Sequence, residues 1–301
     1  MLKKEKLQKL KLINRPALHE ILGVAEGSKP AILDAMSVDE EKNIHKIFPD
    51  LYIENIGKKL NPTSSINDVP MYVISKDKKV AKDLISDFTK NGFKNINKFL
   101  GYPSCCIEHM NSQNPWSRKI IYESCKSSKK ISFLTNNLFN FRGRLKPEKN
   151  ALKKMTIYFQ KNDQIAHLLL RLNFISHIPC SYDCKKSTVI GKETYNLLEK
   201  YYPKLCLEIR SILSKPVLFF DLFKWIVFDG KIDKDMNLHY KKIVPPVSLI
   251  DSKLIKTFSS GDNIKVNKKS IKVYKGKNLI YEYQKKDEID GFIINFQDKI
   301  F

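Results

Sequence analysis

Runs of apolar residues alternate along this chain between helical and strand spacing, and the alternation divides it into three parts. Ser37-Val38-Asp39-Glu40 has the form of a capping box, in which serine and glutamate satisfy two otherwise unpaired backbone donors, and it predicts a helix through Ile44 and Ile47. Met71 to Ile74 is β-branched and apolar enough for a strand. Val80, Leu84, Ile85 and Phe88 then recur at helical spacing, with Gly92 placed as a carboxyl-terminal cap. A strand followed by a helix is one βα unit, so residues 1–95 read as an α/β region. The polar stretch from Gly57 to Pro70 reads as its exposed loop.

Residues 96–215 read as mainly helical. Ile165, Leu168, Leu169, Leu172 and Ile175 predict one apolar helix face, and Leu198, Tyr202, Leu205, Ile209 and Ile212 a second, interrupted at Pro203. Residues 216–301 change to strand patterning. Trp225 to Phe228 leads to an Asp229-Gly230 turn, Ile264, Val266, Ile271 and Val273 alternate with lysines, Lys275-Gly276-Lys277-Asn278 turns into Leu279 to Tyr283, and Phe292 to Phe296 ends the sheet. The fold class expected is α+β: an α/β amino-terminal region, a helical cysteine-rich centre and a small antiparallel β domain.

Composition limits the functional classes. With 42% hydrophobic and 11% aromatic residues in 301, the chain is globular rather than disordered. Met1 to Lys6 is basic but leads into mixed residues, so no signal peptide is expected, and Pro216 to Phe228 is broken by Asp221 and Lys224 and too short for a bilayer. A cytoplasmic, reducing location without membrane partners is the expectation, which makes disulfides unexpected. The net charge of +22 points toward nucleic acid, but only Arg15, Arg118, Arg142, Arg144, Arg171 and Arg210 of the 54 basic residues are arginine. Lysines spread over a whole chain read first as a solvated surface and second as a nucleic-acid footprint, whose densest sequence candidate is Arg142-Gly143-Arg144-Leu145-Lys146.

Four of the six cysteines stand in two short motifs: Gly101-Tyr102-Pro103-Ser104-Cys105-Cys106-Ile107-Glu108-His109, and His177-Ile178-Pro179-Cys180-Ser181-Tyr182-Asp183-Cys184. Pro103 suits a first helical turn, which places Cys105 and Cys106 at a helix start; Ser181 suits an amino-terminal cap, which places Cys184 in the next first turn. Thiolates are stabilised at such ends by the helix dipole. A metal centre built from Cys105, Cys106, Cys180 and Cys184, with His109 or His177 able to replace a thiolate, leads the readings. Thiol redox or cysteine-nucleophile chemistry comes second and four buried small hydrophobes third.

Neither the two-residue zinc knuckle nor ferredoxin spacing is present. Adjacent cysteines strain to reach one tetrahedral ion but can serve different irons, so an iron-sulfur cluster is expected ahead of zinc, and an enzyme of unspecified reaction ahead of a scaffold. The opposing reading is a non-catalytic zinc module on a basic nucleic-acid-binding protein. Cys125 and Cys206 fit apolar helix faces and read as core. His167 with Arg171, Glu108, and Asn136-Asn137 have ordinary structural explanations.

The two motifs resemble those of the prokaryotic family called domain of unknown function 483, which carries Gly-Tyr-Pro-x-Cys-Cys followed by His-x-Pro-Cys-x-x-x-Cys. The resemblance covers roughly residues 70 to 200. It brings no activity with it; it implies that Cys105, Cys106, His177, Cys180, Cys184 and Ser187 belong to one shared site.

Overall fold

The computed structural model describes residues 18–57, 70–91, 95–114, 117–138, 173–222, 224–244 and 253–300. Its described residues group into two compact units, Met1–Glu108 with Val189–Cys206, and His109–Thr188 with Leu207–Phe301.

In the first unit, α1 (Leu18–Glu26) buries Leu18, Ile21, Leu22 and Val24 and leads into β1 (Ala31–Ala35). Ser37 opens α2 (Val38–Ile47) with the expected capping box: its hydroxyl accepts from the Glu40 amide at 3.3 Å, and the Glu40 carboxylate accepts from the Ser37 amide at 2.7 Å. Ile44 and Ile47 form the buried stripe of that helix. β2 (Tyr52–Gly57) and β3 (Met71–Ser75) follow, and β3 is the middle strand of a three-stranded sheet ordered β1-β3-β2. Both of its pairings are antiparallel, so helices alternate with strands as expected without building a parallel sheet.

Strand β3 feeds α3 (Lys78–Asn91), whose Ala81, Leu84 and Phe88 pack on Ala31, Val73 and Ile96. Burying each leucine or phenylalanine of this stripe is worth about 1.5–3 kcal/mol. The short α4 (Ile96–Phe99) closes the same core and delivers the chain to the first cysteine motif.

The second unit contains α6 (Arg118–Lys126) and a 3₁₀ turn (Phe133–Thr135), and then a seven-stranded antiparallel sheet. Its strands are β4 (Val217–Asp221), β5 (Lys224–Ile232), β6 (Leu238–Val244), β7 (Asn263–Val266), β8 (Ser270–Lys275), β9 (Asn278–Gln284) and β10 (Phe292–Ile294). They lie in the order β10-β4-β5-β6-β7-β8-β9, so the last strand returns to pair with the first. Leu218, Phe220, Ile226, Phe228, Leu238, Ile264, Ile271 and Val273 form the buried face, closed by Ile255 and Phe258 of α9 (Lys253–Ser260), a helix the strand patterning of this region does not predict.

One expected turn is not a turn. Asp229-Gly230 lies inside β5, where the register to β6 shifts in a bulge. A Cβ on Gly230 would run into the His239 carbonyl and Tyr240, so glycine is required by close backbone approach. The chain reverses instead at Asp233 to Asn237, where the Asp233 carboxylate accepts from the amides of Asp235 and Asn237. Gly276, with φ 58°, makes the expected turn between β8 and β9.

Helices α7 (Lys185–Tyr201) and α8 (Pro203–Leu213) follow one another, and the break between them falls at Pro203, whose missing amide donor suits a helix start. The second expected helical face is thus confirmed. The face from Ile165 to Leu172, Arg142 to Lys146, His167, Arg171 and Gly92 lie outside the described residues, and Ile175 is buried in irregular chain. No helix among the described residues is long and apolar enough to cross a membrane.

Candidate metal centre

Gly101 sets the entry to the first motif. Its φ of 76° and the proximity of Pro30, whose Cδ would lie 2.8 Å from an added Cβ, leave room only for glycine. The chain then turns sharply, with the Tyr102 amide donating to the Asn97 carbonyl at 3.2 Å. Helix α5 (Ser104–Ser112) starts directly after Pro103, whose carbonyl accepts from the amides of Cys106 and Ile107, both at 3.0 Å. Pro103 is therefore the cap residue, one position earlier than its expected place inside the first turn, and Cys105 and Cys106 both lie in that turn. Cys106 is buried and Cys105 half-buried, with their sulfurs 3.9 Å apart.

Serines at the end of α6 hold the second motif. Ser124 Oγ lies 2.7 Å from the Pro179 carbonyl and 2.9 Å from that of Ile120. Ser127 donates to the Cys180 carbonyl at 3.3 Å, Thr135 donates to the Tyr182 carbonyl at 2.6 Å, and Ser128 Oγ accepts the Tyr182 amide at 2.6 Å. The Cys184 amide closes the turn onto the Ser181 carbonyl at 3.0 Å. The Pro179, Ser181 and Tyr182 carbonyls thus each have a close donor, while the Ser127 hydroxyl reaches Cys180 only as its longest contact after the Glu123 and Ser124 carbonyls at 2.9 and 3.1 Å; these bonds fix a partly buried, non-helical segment.

The helix that follows begins later than expected. Ser181 does not cap it: the Ser181 hydroxyl donates to Asp183 Oδ1 at 2.6 Å, while Asp183 Oδ2 accepts the Lys129 amide at 2.8 Å. These bonds commit residues 181–183 to a turn. Helix α7 starts at Lys185, and the Cys184 carbonyl accepts the Thr188 amide at 2.9 Å, which makes Cys184 itself the cap residue. Desolvation raises the affinity of Asp183 for its proton, but the Ser181 hydroxyl and the Lys129 and Lys130 amides outweigh it and hold the carboxyl below its usual range.

The ligand atoms of Cys105, Cys106, Cys180 and Cys184 lie within 4.8 Å of one another, two of the residues half-buried and two buried. This is the arrangement the two motifs predict.

The two candidate histidines lie outside this group. His109 Nε2 is 3.1 Å from Ser124 Oγ; the single proton of that hydroxyl faces carbonyls, so the imidazole donates and Nε2 is not a free ligand. His177 is buried, with Nε2 2.8 Å from Ser187 Oγ, one turn into α7. Cys206 is buried with its thiol 3.5 Å from the Tyr195 carbonyl, as its core reading requires, whereas Cys125 is only half-buried, with desolvation holding its thiol well above the usual range. Asn136 and Asn137 are buried polar anchors: Asn136 donates to the Leu213 carbonyl at 2.9 Å, and Asn137 accepts the Tyr182 hydroxyl at 3.1 Å.

Ser124, Ser127, Ser128 and Thr135 carry no chemical motif and were not candidates from sequence. Their one legible signal is the spacing of the serines at a helix end, where hydroxyls turn to nearby carbonyls. Comparison with family models, with curated proteins and with solved structures gives no match to this chain.

Proposed function

We propose that the four cysteines bind a single zinc ion as a closed tetrathiolate and that the ion serves a structural rather than a catalytic purpose. The observation that carries this reading is the sulfur spacing. A tetrahedral ion with metal-sulfur bonds of about 2.3 Å requires sulfurs ~3.8 Å apart. Cys105 and Cys106 stand at 3.9 Å, and all four ligand atoms fall within 4.8 Å. The first turn of α5 holds the two adjacent sulfurs at about the edge length of that tetrahedron, which supports one ion taking both.

An iron-sulfur cluster, the leading expectation from sequence, places irons and sulfides between its thiolates and needs the sulfurs farther apart. Four thiolates also fill the coordination shell, leaving no open position for water or substrate, which supports a structural ion over an enzyme centre. A zinc tetrathiolate carries two negative charges. The amino-terminal ends of α5 and α7 complement them through backbone amides and helix dipoles. The resemblance to the domain of unknown function 483 family fits the same reading: under it His177 and Ser187, joined at 2.8 Å, brace the turn and helix that present Cys180 and Cys184.

Metal analysis with an absorption spectrum of anaerobically prepared protein tests the proposal. One zinc per chain without colour, and a cobalt-substituted form with the intense visible bands of a tetrahedral thiolate site, are expected. Brown protein with acid-labile sulfide would establish the cluster instead.

A further inference from the structure

Two lysine-rich turns that are distant in sequence meet at the second cysteine motif. Lys129 donates its amide to Asp183, Ser127 its hydroxyl to the Cys180 carbonyl, and Ser128 accepts the Tyr182 amide. These bonds bring Lys126, Lys129 and Lys130 against the turn that continues into Lys185 and Lys186, and all five lysines are exposed. The acid between them, Asp183, is occupied by a hydroxyl and backbone amides. Five lysines brought together in this way outnumber the acids beside them, Asp183 and Glu123, and form a localised positive patch that the even spread of lysine along the sequence does not reveal.

We infer that this collar binds the phosphodiester backbone of a nucleic acid. Its cations are all lysines, compact point charges suited to phosphates rather than to the bidentate reading of base edges. The turns between them carry Ser127, Ser128, Ser181 and Asp183, and Val189, one turn after Lys185, is a single exposed apolar side chain, too little to insert into a lipid surface. The protein's charge of +22 steers a polyanion toward it from a distance. Binding is therefore independent of sequence and strongly salt-dependent.

The inference rests on hydrogen bonds between two turns and not on the ion, so metal content and nucleic-acid binding fail separately. Binding of a fluorescent B-DNA duplex to the full chain is titrated from about 50 to 200 mM salt, a range over which phosphate contacts lose much of their affinity. The variant K129Q/K130Q/K185Q/K186Q should lose at least ten-fold in affinity at the low-salt end, with a salt slope lower by about 0.9 for each contact removed and unchanged metal content. A second variant, K231Q/K241Q/K242Q/K265Q, removes as many exposed lysines from the sheet and should bind like the parent. Equal losses in the two variants, no binding by the parent, or better displacement by polyglutamate than by unlabelled duplex would overturn the inference.

Discussion

Replacing Cys184 by serine keeps the side-chain volume and exchanges a soft donor for a hydroxyl that binds zinc or iron poorly. Cys184 belongs to the four-sulfur group, so this variant should lose most of its bound metal; Cys206→Ser, at a buried site away from the group, should keep its metal and lose about 1–3 kcal/mol of stability from burying a hydroxyl. Metal analysis and denaturant unfolding on both proteins check the pair, and equal metal loss in the two would refute the division of the six cysteines. That division was legible in the sequence, because chemistry-bearing cysteines cluster in motifs whereas core cysteines follow apolar periodicity. The residues that position the ligands were not. Ser128 is one serine among many until the fold sets its oxygen on the Tyr182 amide. Ser128→Ala leaves that amide without its acceptor, so a loss of about 1–3 kcal/mol and weakened metal retention against a chelator are expected.

Helices and strands of the described chain were read most reliably where local and tertiary demands agree. The capping box before α2, the stripe of α3 and the proline break between α7 and α8 are each decided within a few residues, and the fold keeps them. Two readings failed where a contact distant in sequence decides the local structure. Ser181 is a good helix cap in isolation, but its hydroxyl is taken by Asp183, which the Lys129 amide holds from another element. Asp229-Gly230 is a good turn in isolation, yet the strand continues and the glycine serves a close approach of β6. Gly230→Ala should therefore destabilise the sheet by about 1–3 kcal/mol, since backbone cannot yield as a side chain would. Thermal unfolding checks this, and a neutral effect would mean that the bulge relaxes. The analogous substitution at Gly276, where an added Cβ has open space, strains only φ and should cost about 1 kcal/mol.

At the scale of the whole molecule, stability near neutral pH depends on keeping buried groups in the protonation state their surroundings require. Desolvation in α1 lowers the His19 pKa to about 4 from an ordinary value of 6.5, and the nearby Glu20 and Lys29 act in opposite directions on what remains. The imidazole is neutral in the folded chain and gains its proton first in the unfolded one. His19 thus contributes stability that is fully present above pH 6.5 and is lost as pH falls toward 4, by on the order of 3 kcal/mol over the whole window at 1.36 kcal/mol per unit. Loss of the proposed zinc would act in the same direction, since acid competes with a metal for thiolate ligands. The two acid effects separate by substitution: His19→Gln abolishes the imidazole contribution and leaves the thiolate one, so its stability should fall less steeply than the parent's between pH 6.5 and 4.5, while both proteins release metal at the same pH. Denaturant unfolding at a series of pH values, with metal content measured in the same samples, is the check. Parallel stability curves for the two proteins would show that His19 does not govern acid unfolding.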